Sequence, residues 1–210
     1  SCKDLPKGCR DTQSPGHYRI EKSRQEDLFA YALGANTWKS FFLPAETRLW
    51  KAQSIDGKLQ IEPEQSVAPH YALLGVKPFE LAAIARQDQV LLAGPYPDLN
   101  YQQRRQNSLL ITMDCHFPAA SCFCTSMHTG PVISEAHPAI YDLALSESVS
   151  AEGHGFLACP GSDTGKDLLD ALQIRGATEA ELAQEALATE EAQSNIQVNI
   201  DAESARQQLP

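Results

Sequence analysis

Three cysteines lie close together in a polar segment of the chain. Cys115, Cys122 and Cys124 fall within residues 114–131, among Pro, Ser, Thr and Gly rather than on an amphipathic pattern. A loop of this composition can direct several thiolates towards one centre. Thiolates are soft ligands that select zinc, Cu(I) or an iron–sulfur cluster. The spacing therefore predicts a metal or cluster site with these three cysteines as ligands.

An iron–sulfur cluster fits the spacing better than structural zinc does. Structural zinc sites usually use two Cys-x-x-Cys pairs, or one such pair with histidines, whereas one residue separates Cys122 from Cys124. His116 and His128 could complete a zinc site, so zinc remains an alternative. A cubane cluster needs a fourth ligand, and the residue chemistry leaves four candidates open: Cys159, Glu80, Asp114 and His116.

The other cysteines give no comparable pattern. Cys2 and Cys9 lie in a segment rich in Lys, Pro, Gly and Asp, which predicts an irregular arm over residues 1–20 carrying two unrelated thiols. Three disulfides are disfavoured, because 210 residues are enough to build a core and nothing marks the chain as secreted. We expect reduced thiols in a cytoplasmic protein. A cysteine nucleophile, such as Cys124 with His128, has no local signature in its support.

Composition and charge exclude some classes of partner. The chain is 42% hydrophobic and 21% charged, as an ordinary globular protein is, and its formal net charge is −10. Nucleic acids and anionic membranes require a basic face, so neither is expected as a partner. No apolar run approaches the roughly 18 residues needed to cross a bilayer, so we also expect no membrane insertion.

The middle of the chain alternates between short apolar runs and helical patterns. The predicted elements there are, in order, a strand at 70–76, a helix at 79–87, a strand at 90–93, a helix at 98–106 capped by Asp98, and a strand at 109–113. This alternation predicts an α/β fold with a small, largely parallel sheet and flanking helices. Ligands collect at the carboxyl ends of such strands. The Lys77-Pro78 turn and the Cys115 loop both follow strands, so they are expected at one edge.

The flanking segments have weaker patterns. The predictions are a helix at 24–33, a strand at 38–43, a hairpin or loop at 51–66, strands at 139–145 and 154–159, and helices at 163–172, 178–194 and 201–209. A Thr178–Glu181 capping box opens the second of these helices, and Asp201 caps the last. We therefore expect an α/β cluster-binding domain over residues 1–165 and a helical extension, or linker, over residues 166–210.

Three stretches of the chain, residues 38–44, 74–84 and 115–131, resemble a known family. They are similar to the N-terminal region of a family of iron–sulfur electron-transfer proteins. Its members are the beta subunits of cytoplasmic sulfhydrogenases (nickel–iron hydrogenases) and the corresponding iron–sulfur subunits of anaerobic sulfite reductases. The similarity covers most of residues 5–170. Its most specific part is the Cys-Phe-Cys-x-Ser-Met-x-Thr-Gly-Pro block, from Cys122 to Pro131.

The resemblance implies a 4Fe–4S cluster on Cys115, Cys122 and Cys124, in an electron-transfer protein that docks to the other subunits of a redox complex. Family members continue into a ferredoxin-like domain with two further clusters, which we expect to be absent here. The family has Arg-Pro-Cys-Asp-Leu where this chain has Lys-Pro-Phe-Glu-Leu, so Phe79 replaces the implied fourth ligand. The alternatives are a structural zinc module that serves assembly and a cysteine-dependent enzyme.

Overall fold

A computed structural model describes residues 5, 7–22, 27–31, 37–63, 68–134, 140–150 and 153–208. Their elements in chain order are β1 (Cys9–Ser14), β2 (His17–Lys22), α1 (Lys39–Phe42), β3 (Trp50–Ile55), β4 (Lys58–Pro63), β5 (Tyr71–Val76), α2 (Pro78–Leu92), α3 (Leu99–Gln106), β6 (Ser108–Met113), β7 (Leu143–Ser150), β8 (Gly153–Pro160), α4 (Asp163–Leu172), α5 (Glu179–Ser194) and α6 (Ala202–Gln207). No helix among these residues has both the length and the apolar character to cross a membrane.

A four-stranded sheet in the order β5–β6–β7–β8 forms the centre of the fold. The first three strands run parallel, and β8 pairs antiparallel with β7. Helices α2 and α3 connect β5 to β6, while β1–β2 and β3–β4 are separate antiparallel hairpins. The predicted α/β class is confirmed, with its largely parallel sheet, flanking helices and C-terminal helices. The division into residues 1–165 and 166–210 stays a prediction.

The main core lies between the sheet and helices α1 to α3. Its buried members are Phe42, Leu73, Val76, Leu81, Ile84, Tyr101 and Leu110. The buried Tyr101 hydroxyl donates to Asp88 Oδ1 over 2.5 Å, and the Arg105 guanidinium binds the same carboxylate at 3.1 Å. The only polar group of this tyrosine side chain is therefore satisfied inside an apolar core.

Several predicted elements are confirmed. Strands β5, β6 and β8 and helices α2, α3, α4, α5 and α6 lie where the patterns place them. Asp98, Thr178 and Asp201 each accept a hydrogen bond from a backbone N–H three residues later, as their N-cap positions require. The segment 51–66 is a hairpin in its described part, with Asp56 and Gly57 both at positive φ in the two-residue turn.

Two predicted strands are helical instead. Residues 90–93 continue α2 to Leu92, because nothing interrupts the helix before Gly94 and a Leu-rich run suits either structure. Residues 38–43 contain α1 rather than a strand. The Phe42 ring packs on Trp38, four residues earlier, with centroids 5.5 Å apart, and on Tyr101 at 6.0 Å. Aromatic residues at this spacing anchor one helical turn in the core.

Two N-terminal predictions are also wrong. Residues 9–22 form the hairpin β1–β2 rather than an irregular arm, because Pro15-Gly16, with Gly16 at φ 74°, supplies a tight turn. The helix expected at 24–33 is not present in its described residues, 27–31. The backbone N–H groups of Leu28 and Phe29 donate instead to the Glu147 carboxylate, at 2.6 and 2.9 Å. Cys2 lies outside the described residues.

Candidate metal centre

The ends of strands β5 and β6 meet at a buried lysine. Lys77 follows β5 directly, and its side chain is 2% exposed. Its Nζ donates to the backbone oxygen of Asp114, which follows β6, over 3.4 Å, and to the backbone oxygen of Phe29 over 3.1 Å. The expectation that the Lys77 turn and the Cys115 loop share one edge of the sheet is confirmed.

The loop of residues 114–131, called the thiol loop below, starts and ends at one point. Cys115 N–H donates to Pro131 O over 3.0 Å, and the Asp114 carboxylate accepts from Ile133 N–H over 2.9 Å. These two bonds close the loop at the end of β6. The cysteines are therefore held on a fixed base next to the sheet, although no helix or strand carries them.

Short turns fix the two later cysteines. Cys122 N–H donates to Ala119 O over 2.9 Å. Cys124 O accepts from Met127 N–H over 3.2 Å and from Thr129 N–H over 2.9 Å. Because these contacts lie in the backbone, they leave the thiol groups available for ligation.

Gly130 brings the thiol loop against the first turn of α2. A Cβ atom at this glycine would lie 3.3 Å from Cys124 Sγ and 3.7 Å from Pro78 Cβ. A larger residue would therefore require the Cys124 side chain to shift by a few tenths of an ångström. Position 79 is the next residue of α2 after Pro78.

The three thiols influence one another electrostatically. Burial, followed by negative charge on Cys122 and Cys115, raises the pKa of Cys124 to about 11. Burial likewise raises the pKa of Cys115, which Lys77 lowers and Cys122 raises. The pKa of Cys122 is raised by burial as well. The fold thus gathers the three ligands predicted from the sequence. Because their pKa values are raised, the thiols are protonated at neutral pH when no metal is bound.

The three cysteine sulfurs are not all as close together as the ligands of one tetrahedral ion. Four ligands at about 2.3 Å from zinc place neighbouring sulfurs about 3.8 Å apart. Among the described residues, the group whose ligand atoms all lie within 4.8 Å of one another is Asp114, His116 and Glu185, and not the three cysteines. A cluster of several irons spans more space than one ion and suits the wider spacing.

The fourth-ligand candidates from the sequence do not all reach the thiols. Glu80 is buried, and its carboxylate accepts from Lys77 N–H over 2.9 Å as part of the α2 cap. Cys159 lies on β8 near Tyr141, whose pKa is raised by burial and then by the charge of Cys159. Phe79 is 36% exposed and offers no ligand atom. Asp114 and His116 belong instead to the group with Glu185.

Strand β1 carries a further cysteine, Cys9, which the sequence alone does not connect with the thiol loop. Burial raises the pKa of the Tyr31 phenol, and the charges of Glu80, Cys115 and Cys9 raise it further. The neighbouring Arg10 guanidinium stacks on the Phe117 ring of the thiol loop at 3.9 Å, and charge on Asp11 raises the pKa of Cys122. The β1–β2 hairpin therefore lies along the thiol loop, and the Pro15-Gly16 turn was its sequence signal.

Lys77 supplies positive charge next to the thiols. Burial lowers the pKa of this lysine, while Cys115, Asp114, Glu147 and Glu80 act to raise it. A buried ammonium surrounded by acidic groups stabilises them in their anionic forms. Thiolate ligands and a negatively charged cluster both gain from such a charge.

The arrangement as a whole combines three gathered thiols, a buried cation and a closed loop at the carboxyl edge of a parallel sheet. The five described cysteines form no disulfide bond. No family model, curated protein or solved structure matches the chain. The donor set fits an iron–sulfur cluster, with Cys115, Cys122 and Cys124 as the residues that would hold it.

Proposed function

We propose that the protein is an iron–sulfur electron-transfer module of a cytoplasmic redox complex, with a 4Fe–4S cluster on Cys115, Cys122 and Cys124. The observation that carries this proposal is the gathering of three thiols in one loop. After burial, charge on Cys122 raises the pKa of both Cys115 and Cys124, and the three sulfur atoms do not all lie within 4.8 Å of one another. The cluster supplies one-electron transfer when it is bound. The resemblance to the iron–sulfur proteins of sulfhydrogenases and sulfite reductases supports the same function.

The residues around the thiols suit this task. The Lys77 ammonium offsets part of the negative charge of the ligands, which favours binding of the cluster. The same positive charge would raise the reduction potential of the cluster. The closed thiol loop fixes the cysteines before the cluster binds, so less conformational entropy is lost on binding. The chain itself needs no site for the final substrate, because its role is to pass electrons between other proteins of the complex.

An apolar rim supports docking to a partner protein. Phe79, Phe123 and Met127 belong to α2 and the thiol loop, and they are 36%, 44% and 47% exposed. Aromatic and methionine side chains are enriched at the centres of protein interfaces. A partner that covers this rim would place its own redox centre near the cluster and exclude water from it.

Cys9 completes the ligand set in this proposal. Phe79 occupies the position of the implied fourth cysteine and cannot ligate. Cys9 on β1 and Cys115 of the thiol loop both act on Tyr31, whereas Cys159 lies on the far strand of the sheet. Four thiolates from β1 and the thiol loop would then hold the cluster.

The test is anaerobic reconstitution of single serine variants with iron and sulfide. Cys115→Ser, Cys122→Ser and Cys124→Ser should each lose most of the bound iron and the visible absorbance, and Cys9→Ser should lose stability of the cluster to chelators. Cys159→Ser is the matched control and should behave as the wild-type protein does. Retention of wild-type iron by all three thiol-loop variants would remove the basis of the proposal.

A further inference from the structure

A second group of ligand atoms lies beside the thiol loop and uses none of the cysteines. Asp114, His116 and Glu185 each offer one ligand atom, and these atoms lie within 4.8 Å of one another. Asp114 and His116 flank Cys115, while Glu185 comes from α5. We propose that these three side chains bind a divalent transition-metal ion, independently of the thiols.

Each proposed ligand is already oriented by a hydrogen bond. The Asp114 carboxylate accepts from Ile133 N–H over 2.9 Å, and the Glu185 carboxylate accepts from the Thr189 hydroxyl over 2.9 Å. The His116 Nε2 atom lies 3.2 Å from the Ser146 hydroxyl oxygen. Outer partners of this kind fix ligand geometry at metal sites and raise affinity. Each carboxylate keeps a second oxygen that it can offer to a cation.

The surroundings favour a cation over an anion. The three side chains share a cavity of about 350 Å³, which leaves room for water molecules to complete the coordination. The other charged side chains that line this cavity are Asp27, Glu147, Glu191 and Arg10. Carboxylates thus outnumber the single guanidinium, and that guanidinium stacks on Phe117.

The donor types indicate which ions should bind. Imidazole suits zinc and iron, and carboxylate oxygens suit manganese, so one nitrogen with two oxygens accepts several first-row ions. Zinc should bind more tightly than manganese by the usual order of divalent affinities. Zinc can also bind thiolates, whereas Mn²⁺ prefers oxygen and nitrogen ligands. Mn²⁺ is therefore the probe that separates this site from the cysteines.

Metal binding would join two distant parts of the chain. Asp114 and His116 follow the central strand β6, and Glu185 lies in the helical extension. An ion held between them would fix α5 against the sheet edge. Hydrogen exchange in α5 should then slow when the ion binds.

The experiment is a Mn²⁺ titration of the full chain, followed by the electron paramagnetic resonance signal of the free ion. The wild-type protein should bind one Mn²⁺, and Glu185→Gln should weaken binding more than about tenfold. Glu190→Gln removes the same charge from the exposed part of α5 and should bind as the wild type does. Cys124→Ser should also leave Mn²⁺ affinity unchanged, whatever its effect on iron.

Three results would overturn the proposal. They are no Mn²⁺ binding by the wild-type chain, equal binding by Glu185→Gln and wild type, or loss of binding in Cys124→Ser. The last result would assign the ion to the thiol loop. A cluster that fails to form in the iron experiment leaves this prediction unaffected, because no cysteine takes part.

Discussion

Lys77 Nζ lies 3.4 Å from the backbone oxygen of Asp114, so a buried ammonium joins the ends of the parallel strands β5 and β6. The contact holds Lys77 next to the start of the thiol loop. Burial raises the pKa of Cys115, and the charge of Lys77 lowers it. Burying a lysine costs free energy unless nearby groups of opposite charge compensate for the lost solvation. The thiols and carboxylates around Lys77 can provide that compensation.

Lys77→Met should make Cys115 less reactive. Without the ammonium the pKa of Cys115 rises, and each unit of that rise lowers the thiolate fraction about tenfold at neutral pH. Alkylation of Cys115 by iodoacetamide, followed by mass spectrometry, should slow accordingly, and iron uptake during reconstitution should slow with it. Lys166→Met, on the exposed part of α4, is the control. Alkylation of Lys77→Met at the wild-type rate would show that the lysine does not act on the thiol.

Phe79→Cys should restore the fourth thiolate at the start of α2. Position 79 follows Pro78, whose Cβ would lie 3.7 Å from a Cβ at Gly130 of the thiol loop. In a Cys9→Ser background, Phe79→Cys should recover resistance of the cluster to chelators, whereas Tyr96→Cys should not. Tyr96 is 93% exposed and provides a thiol away from the site. If Phe79→Cys changes neither cluster content nor stability in either background, the ligand role of position 79 is wrong.

The sheet edge could be predicted from the sequence because short stretches of residues determine where its strands end. An apolar run that ends at a polar turn is enough to place β5, β6 and the cysteines that follow. The Asp98 and Thr178 caps likewise depend on residues three positions apart. Such patterns can be recognised without knowledge of the tertiary structure.

The features that could not be predicted from the sequence depend on contacts between segments that are distant along the chain. The Glu147 carboxylate holds Leu28 and Phe29 out of a helix from more than one hundred residues away, and no local pattern carries that information. Glu185 joins Asp114 and His116 for the same reason. Cys9 has no metal-ligand spacing to the other cysteines in the sequence, and its strand lies along the thiol loop only because of the Pro15-Gly16 hairpin.

Ser126→Ala should loosen the segment after α5. The Ser126 hydroxyl donates to Asn199 Oδ1 over 3.0 Å and accepts from Ile200 N–H over 3.0 Å. Loss of a bond worth about 1 kcal/mol should speed hydrogen exchange at Ile200 about fivefold. The control is Ser121→Ala, at an exposed position of the same loop. Equal exchange in Ser126→Ala and wild type would mean that the contact does not hold the segment.

Tyr101 should make the fold sensitive to alkaline pH. Burial, the hydrogen bond to Asp88 and the charge of Asp88 raise the pKa of this tyrosine above its ordinary value of 10.0. Because the folded pKa exceeds the unfolded one, the associated stability is fully present below pH 10 and is lost as pH rises towards the folded pKa. The free energy of unfolding, measured with urea, should therefore decline above that pH.

Tyr101→Phe separates this effect from other alkaline titrations. The variant should be less stable at neutral pH by about 1 kcal/mol, because the hydrogen bond to Asp88 is lost. Its decline with rising pH should be shallower than that of the wild type. Tyr96→Phe should show the wild-type decline. Equal pH slopes for Tyr101→Phe and wild type would assign the alkaline effect to another group.

The most direct test of the central claim is the iron, sulfide and zinc content of anaerobically purified protein, measured with its visible spectrum. The proposal predicts about four irons and four sulfides per chain, in a brown protein that dithionite bleaches. One zinc without iron, in a colourless protein that loses this zinc in Cys122→Ser, would make the thiol loop a structural zinc site. No metal at Cys115, Cys122 and Cys124 even after anaerobic reconstitution would contradict the account, because a fold that gathers the three thiols would then hold no cluster.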